Sequence, residues 1–241
     1  MSAFSAIEFH LKGAGGNWDF LFPVSYAEFL MAKLLYIDSS VGKERSASML
    51  EVGKVFLDAY QETHPNDQLE TLKIWDMDLE ELDELTLDAS YAIIHRMNHT
   101  PEQAAAWEKI VKIVSQFKSA DKYLFTVPMW HLGIPYRLKH YLDLLIHPGQ
   151  TFQFSLGEKA QGLITGKPAA VMYSRFDGYR HGSGFENFES QKRFMEKALN
   201  LIGFTRVHSI VLVEPMPGSQ HSSDPENTRA KDQAIRMATS F

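Results

Sequence analysis

The sequence predicts an α/β fold: a doubly wound, five-stranded parallel sheet with helices on both faces. Three observations predict it. Five short runs rich in apolar residues are spread along the chain, and the first, 34–37, is apolar throughout, as a strand covered on both faces must be. Segments whose apolar residues recur at helical spacing lie between them. Strands that alternate with helices in this way pair in parallel.

The first strand is Met31-Ala32-Lys33-Leu34-Leu35-Tyr36-Ile37-Asp38. The thirty residues before it differ in character. They carry Gly13-Ala14-Gly15-Gly16 and scattered aromatics with no period of 2 or 3.6. They lack the basic start and unbroken apolar stretch of a signal peptide. Residues 1–30 therefore read as an N-terminal extension, poorly ordered or lying ahead of the true start, and the folded domain as 31–241.

After the first strand, Val52, Val55, Phe56, Ala59 and Tyr60 mark a helix beginning near Ser48, where Ser48 and Glu51 have capping-box spacing. Residues 69–75 form the second strand. The acidic, leucine-dotted span 76–88 reads as a loop or short exposed helix. Thr100-Pro101-Glu102-Gln103 supplies a cap, a proline at the first helical position and a glutamine at the third. Trp107, Ile110, Val111, Val114 and Phe117 give that helix its apolar face. The third strand is 123–127, and a helix follows over 138–146. Thr151-Phe152-Gln153-Phe154 and Gly162-Leu163-Ile164, flanking Gly157-Glu158-Lys159, suggest a small hairpin outside the main sheet. Residues 169–173 and 207–213 are the last two strands. The helix between them, 188–202, has Gly203 just past its end. Asp224-Pro225-Glu226 caps the final helix.

Composition excludes several functions. The 241 residues carry a net charge of −6 and no basic stripe, so duplex nucleic acid is not an expected partner. There is no cysteine, which removes disulfides, thiolate nucleophiles, iron–sulfur clusters and cysteine zinc sites together. No run of about 18 apolar residues occurs, so no membrane span is predicted; the expected compartment is the cytoplasm.

Ligands of open α/β sheets bind at the carboxyl ends of the strands. The loop after the third strand, within Val127-Pro128-Met129-Trp130-His131-Leu132-Gly133-Ile134-Pro135, is rich in rings and prolines. Trp130 can pack along a flat, redox-active ring while the backbone of 129–132 bonds its polar edge. The competing reading is a core tryptophan and an ordinary loop histidine. The loop after the first strand holds Ser39, Ser40, Ser46 and Ser48 with Lys43 and Arg45. A helix start binds anions, but the glycine spacing is not that of a nucleoside-triphosphate loop, so a single phosphate is expected. The competing reading makes Ser46 or Ser48 a cap only. Ser174-Arg175-Phe176-Asp177-Gly178 follows the fourth strand and is weak alone.

From Met31 onward the chain resembles the FMN-dependent NADH-azoreductases, which also act as quinone reductases. The resemblance is carried by Lys33-Leu34-Leu35-Tyr36-Ile37-Asp38-Ser39-Ser40 with Ser46-Ala47-Ser48, by Pro128 to Pro135 with Leu138-Lys139, by Thr151-Phe152 with Gly162-Leu163, and by Ser174-Arg175. It implies a flavodoxin-like fold with strand order 2-1-3-4-5 and FMN as cofactor. Ser40, Ser46, Ala47 and Ser48 would then hold the phosphate and ribityl end. Met129, Trp130, His131 and Leu132 would line the isoalloxazine, and Ser174 and Arg175 would stand near its pyrimidine edge. It further implies NADH as donor, a ping-pong two-electron reduction of quinones and azo compounds, and a homodimer. Two departures stand out. The family usually has asparagine-phenylalanine where this chain has His131-Leu132, and often two glycines where it has Phe176-Asp177. Histidine titrates nearest neutrality of all side-chain types, so His131 either contacts the ring or donates a proton to the substrate.

Other groupings read as structure. His95 and His99 have no glutamate between them and precede a capped helix, so they read as loop residues. Gly182-Ser183-Gly184 lacks the upstream glycine of a nucleophile elbow. The acidic residues of 76–84 are spaced like a solvated face, and Lys139 with Asp143 like a surface pair. The alternatives are a flavodoxin-type electron carrier, a flavin reductase acting mainly on other acceptors, and an α/β hydrolase, for which no nucleophile is evident.

Overall fold

The chain is described from a computed structural model covering residues 31–241 except 43–46, 155–159, 177, 178, 180, 181, 183 and 215–223. The expected extension over 1–30 lies outside these residues, as do Ser46 and the loop 157–159.

Five parallel strands make the sheet: β1 (Lys33–Asp38), β2 (Gln68–Lys73), β3 (Lys122–Pro128), β6 (Pro168–Phe176) and β7 (Arg206–Glu214), with β4 (Phe152–Gln153) and β5 (Gln161–Gly162) forming a separate antiparallel pair. Their order is β2-β1-β3-β6-β7, which is the expected 2-1-3-4-5 once the hairpin is set aside. The order reverses between β1 and β3. Such a switch point opens a crevice at the carboxyl edge.

Helices cover both faces. On one face α1 (Ala47–Thr63) and α6 (Asp224–Thr239) pack through Met49, Val52, Phe56 and Tyr60 and through Ala230, Ala234 and Ala238. The alanines recur every four residues, so α6 lies close on the sheet. On the other face α2 (Glu84–Ile94), α3 (Pro101–Lys118), α4 (Tyr136–Leu145) and α5 (Gln191–Ile202) bury Ala89, Trp107, Ile110, Phe117, Leu138, Leu142, Met195 and Leu199. The capping box at Thr100 and Gln103 forms in both directions. Gly203 adopts φ +119 at the end of α5. A Cβ on Gly162 would lie 2.1 Å from Gly203 N, so the hairpin rests directly on that helix end.

Several expectations move. α1 starts at Ala47, which puts Ser48 inside its first turn rather than at the cap. The second strand ends at Lys73, two residues early, because Trp75 turns out of the ladder and donates from Nε1 to Ser39 O at 2.9 Å. The span 76–88 is loop only to Asp83, whose side chain accepts from Thr86 N and caps α2. α4 begins two residues earlier than expected, at Tyr136, and α5 three later, at Gln191, after a 3-10 turn over Glu186–Phe188.

Candidate active site

The site begins with a buried polar cluster at the carboxyl end of β1. Thr126 of β3 donates its hydroxyl to Asp38 Oδ1 at 2.8 Å. That spends its only proton, so the Tyr36 hydroxyl, 3.3 Å from Thr126 Oγ1, must donate to it. Burial, with the Asp38 charge, pushes the Tyr36 phenol well above its ordinary range and keeps it a donor. Ser40 N donates to the same Asp38 oxygen at 2.9 Å, and the Ser39 hydroxyl donates to Thr126 O at 2.5 Å. Ser39 and Ser40 are therefore fixed against the ends of β1 and β3.

At the end of β3 the chain makes a tight turn. Trp130 and Gly133 exchange two backbone hydrogen bonds, at 3.0 and 2.9 Å. His131 and Leu132 between them have φ +47 and +73, the left-handed pair of a type I′ turn. Histidine visits that region more readily than most residues, whereas a leucine there is strained. Both side chains are exposed, and Trp130 is half-buried.

The end of β6 faces this turn. Met129 N donates to Ser174 O at 2.8 Å. Arg175 Nη1 pairs with a Glu189 carboxylate oxygen at 3.4 Å, while its Nε is buried with no hydrogen-bond partner among the described residues. Beyond β6, Glu214 closes β7. Burial pushes its carboxyl above the usual range.

These pieces enclose a cleft of about 250 Å³ lined on one side by Met129, Trp130, His131 and Leu132, on the other by Ser174, Arg175 and Phe176, with Val41, Tyr179 and Glu214 at its ends. Six of the residues expected at the site thus meet in one cleft. Ser40 adjoins it through Val41. Ser48, whose hydroxyl accepts from Asn227 Nδ2 at 3.5 Å, stands in the first turn of α1 and does not line it. Ala47 opens that helix, and Ser46 is outside the described residues. Among the described residues no group of three or more potential metal ligands is present.

Sequence reasoning missed Trp75, Thr126, Tyr179, Glu189, Gln191 and Glu214. A charged residue ending an apolar strand, as Glu214 does, was the one available signal. The others are revealed only by packing.

Residues 32–237 match a family described as having a flavodoxin-like fold. The FMN-dependent NADH:quinone oxidoreductase of Desulfotalea psychrophila is 43% identical over 208 residues, covering 86% of this chain and 97% of that protein. A protein of the same name from Nitratidesulfovibrio vulgaris strain DP4 is 37% identical over 211 residues, covering 88% and 100%. Among solved structures, the azoreductase from Bacillus anthracis str. Sterne matches with a TM-score of 0.78 at 25% identity, over 88% of this chain and 100% of that one.

Proposed function

This chain belongs to the flavodoxin-like family and, within it, to the FMN-dependent NADH:quinone oxidoreductases, and on that premise we propose that the cleft at the carboxyl edge of its sheet holds FMN. The protein is an oxidoreductase that takes electrons from NADH and delivers them in pairs to quinones and to aromatic azo compounds, which it cleaves to amines. A flavodoxin-type carrier without its own substrate site is not the favoured reading.

The observation that carries the cofactor's placement is the convergence of 128–132 and 174–176 on one cleft. Its residues fit the group. Met129, Trp130 and Leu132 give an apolar face against which a flat ring can lie. Arg175 Nε is a buried donor without a hydrogen-bond partner among the described residues, and an unmet donor there suits the carbonyl-bearing edge of a flavin. A cleft of about 250 Å³ is at the small end for a pocket that engulfs its ligand, which suits a ring left open on its outer face.

When bound, FMN supplies the two-electron exchange between NADH and the acceptor. The chain supplies position. Ser40, Ser46, Ala47 and Ser48 take the phosphate and ribityl chain at the start of α1, where backbone N–H groups and the helix dipole favour an anion. Ser174 and Arg175 orient the polar edge of the ring. His131 stands exposed at the lip of the cleft and contacts the ring or the incoming substrate there.

We further propose a homodimer in the cytoplasm. Leu87, Tyr91 and Ile94, spaced along one stripe of α2, are 53%, 60% and 37% exposed, and an apolar helix face of that kind favours a partner surface. Among the described residues no helix is long and apolar enough to cross a membrane.

The test is the absorption spectrum of the purified protein, followed by anaerobic mixing with NADH and then with a quinone. Flavin bands that NADH bleaches and the quinone restores are expected. A colourless protein that takes up no FMN overturns the reading, and a bound flavin that NADH cannot reduce makes it a carrier.

A further inference from the structure

Three consecutive residues, Glu189, Ser190 and Gln191, hold both walls of the cleft from behind. Glu189 grips the β6 wall: one carboxylate oxygen pairs with Arg175 Nη1 at 3.4 Å and the other accepts from Lys192 N at 2.7 Å. Ser190 grips the turn of the β3 wall, its N–H donating to Leu132 O at 2.9 Å. Gln191 joins the two walls at their base. Its Nε2 donates to Val127 O of β3 at 2.7 Å and to Ser174 O of β6 at 3.3 Å. Ser174 O is the same oxygen that receives Met129 N–H, the first donor of the cofactor loop. The Gln191 side chain is fully buried.

Of these bonds only that from Lys192 N to Glu189 serves the start of the helix itself. Ser190, the residue capping α5, makes no side-chain cap bond. The Nε2 of Gln191 is spent on two strand carbonyls rather than on its own first turn, while its Oε1 is buried with no hydrogen-bond partner among the described residues. A glutamine at zero exposure is costly unless its bonds secure something. Here they secure the spacing of two strand ends 47 residues apart in the chain, Val127 and Ser174, at the place where the ladder meets Pro128, which has no N–H to give.

We propose that Gln191, seconded by Ser190 and Glu189, is a positioning residue that sets the separation of the two walls and hence their grip on the flavin ring. The inference rests on the cleft being the FMN site. It assigns no contact with the cofactor to these residues: they act through Met129, Leu132, Ser174 and Arg175.

The test compares two flavins on one set of proteins. Gln191→Met keeps the volume of the buried side chain and removes its donor. The dissociation constants of FMN and of riboflavin, read by flavin fluorescence, are expected to rise together by about tenfold, the worth of one or two hydrogen bonds, because both ligands carry the ring. Ser48→Ala, at the phosphate end, is expected to weaken FMN and spare riboflavin. If Gln191→Met lowers the melting temperature but leaves both affinities unchanged, its role is structural only and the proposal is overturned. If that variant does not fold, Glu189→Gln keeps the shape of the side chain and removes the charge that holds Arg175 on the β6 wall. A proportionate rise for both flavins then supports the proposal and unchanged affinities overturn it. A wild-type protein that binds neither flavin instead defeats the assignment of the cleft itself.

Discussion

Trp75, just beyond β2, and Trp130, just beyond β3, meet across the end of β1 with ring centroids 5.2 Å apart and planes tilted by 39°. Tyr136 presents its edge to Trp75 at 5.3 Å. Since Trp75 also donates to Ser39 O, one side chain ties the loop on the phosphate side to the turn on the ring side.

Trp75→Phe separates these roles. It keeps an aromatic ring against Trp130 and deletes the bond to Ser39 O. The loss of stability is expected to be about 0.5–1.5 kcal/mol in a denaturant titration, accompanied by weaker FMN binding. An unchanged affinity would show that the Ser39 carbonyl is held well enough by the Thr126 cluster alone.

Leu132→Gly tests the strain in the turn. A leucine at φ +73 costs roughly 1–2 kcal/mol, and glycine gives back part of that through its freer unfolded chain. The side chain is 38% exposed, so its remaining burial is lost and offsets much of the rest. A net gain of no more than about 0.5 kcal/mol in unfolding free energy is expected from urea titration.

His131→Asn asks whether the imidazole moves a proton. Asparagine tolerates the same left-handed backbone. With contact as the residue's role, turnover of quinones and its pH profile are expected to stay as in the wild type. A fall of roughly 10²–10⁴-fold together with the loss of one limb of the profile would assign it as the acid.

His147 makes stability depend on pH. It is buried, its Nε2 has no hydrogen-bond partner among the described residues, and the edge of Trp107 meets it at 5.2 Å. Burial holds its pKa below the ordinary histidine value, and the Asp143 charge opposes this only in part. The unfolded chain thus binds a proton there before the folded one does. The stability it contributes is complete above about pH 6.5 and is lost as pH falls through the folded value. Urea midpoints at about pH 7.5 and about pH 5.5 should differ more for the wild type than for His147→Gln.

The strands were legible because a strand buried on both faces has little choice but to be apolar, as 34–37 is throughout and 123–127 is but for Thr126. α2 was not. It buries Thr86, Ala89, Ser90 and Ala92 and turns Leu87, Tyr91 and Ile94 outward, so its apolar period points away from the core. The ring-binding loop was legible through Trp130 and its prolines, but the left-handed turn at His131 and Leu132 was not, since neither residue announces positive φ as glycine would. Gln191 reads as an ordinary first residue of a helix. Only the approach of Val127 O and Ser174 O shows its use.

The cleft draws on segments far apart along the chain: 128–132, 174–176 and, behind them, 189–191. β3 and β6 are paired in parallel across the intervening α4 and hairpin, and such long-range pairing closes slowly. A nascent chain that has not yet passed residue 176 therefore has no second wall, and one that has not passed residue 191 has nothing to brace it. Flavin can be captured only by the finished sheet, so cofactor uptake rewards completed folding and leaves every earlier intermediate unstabilised.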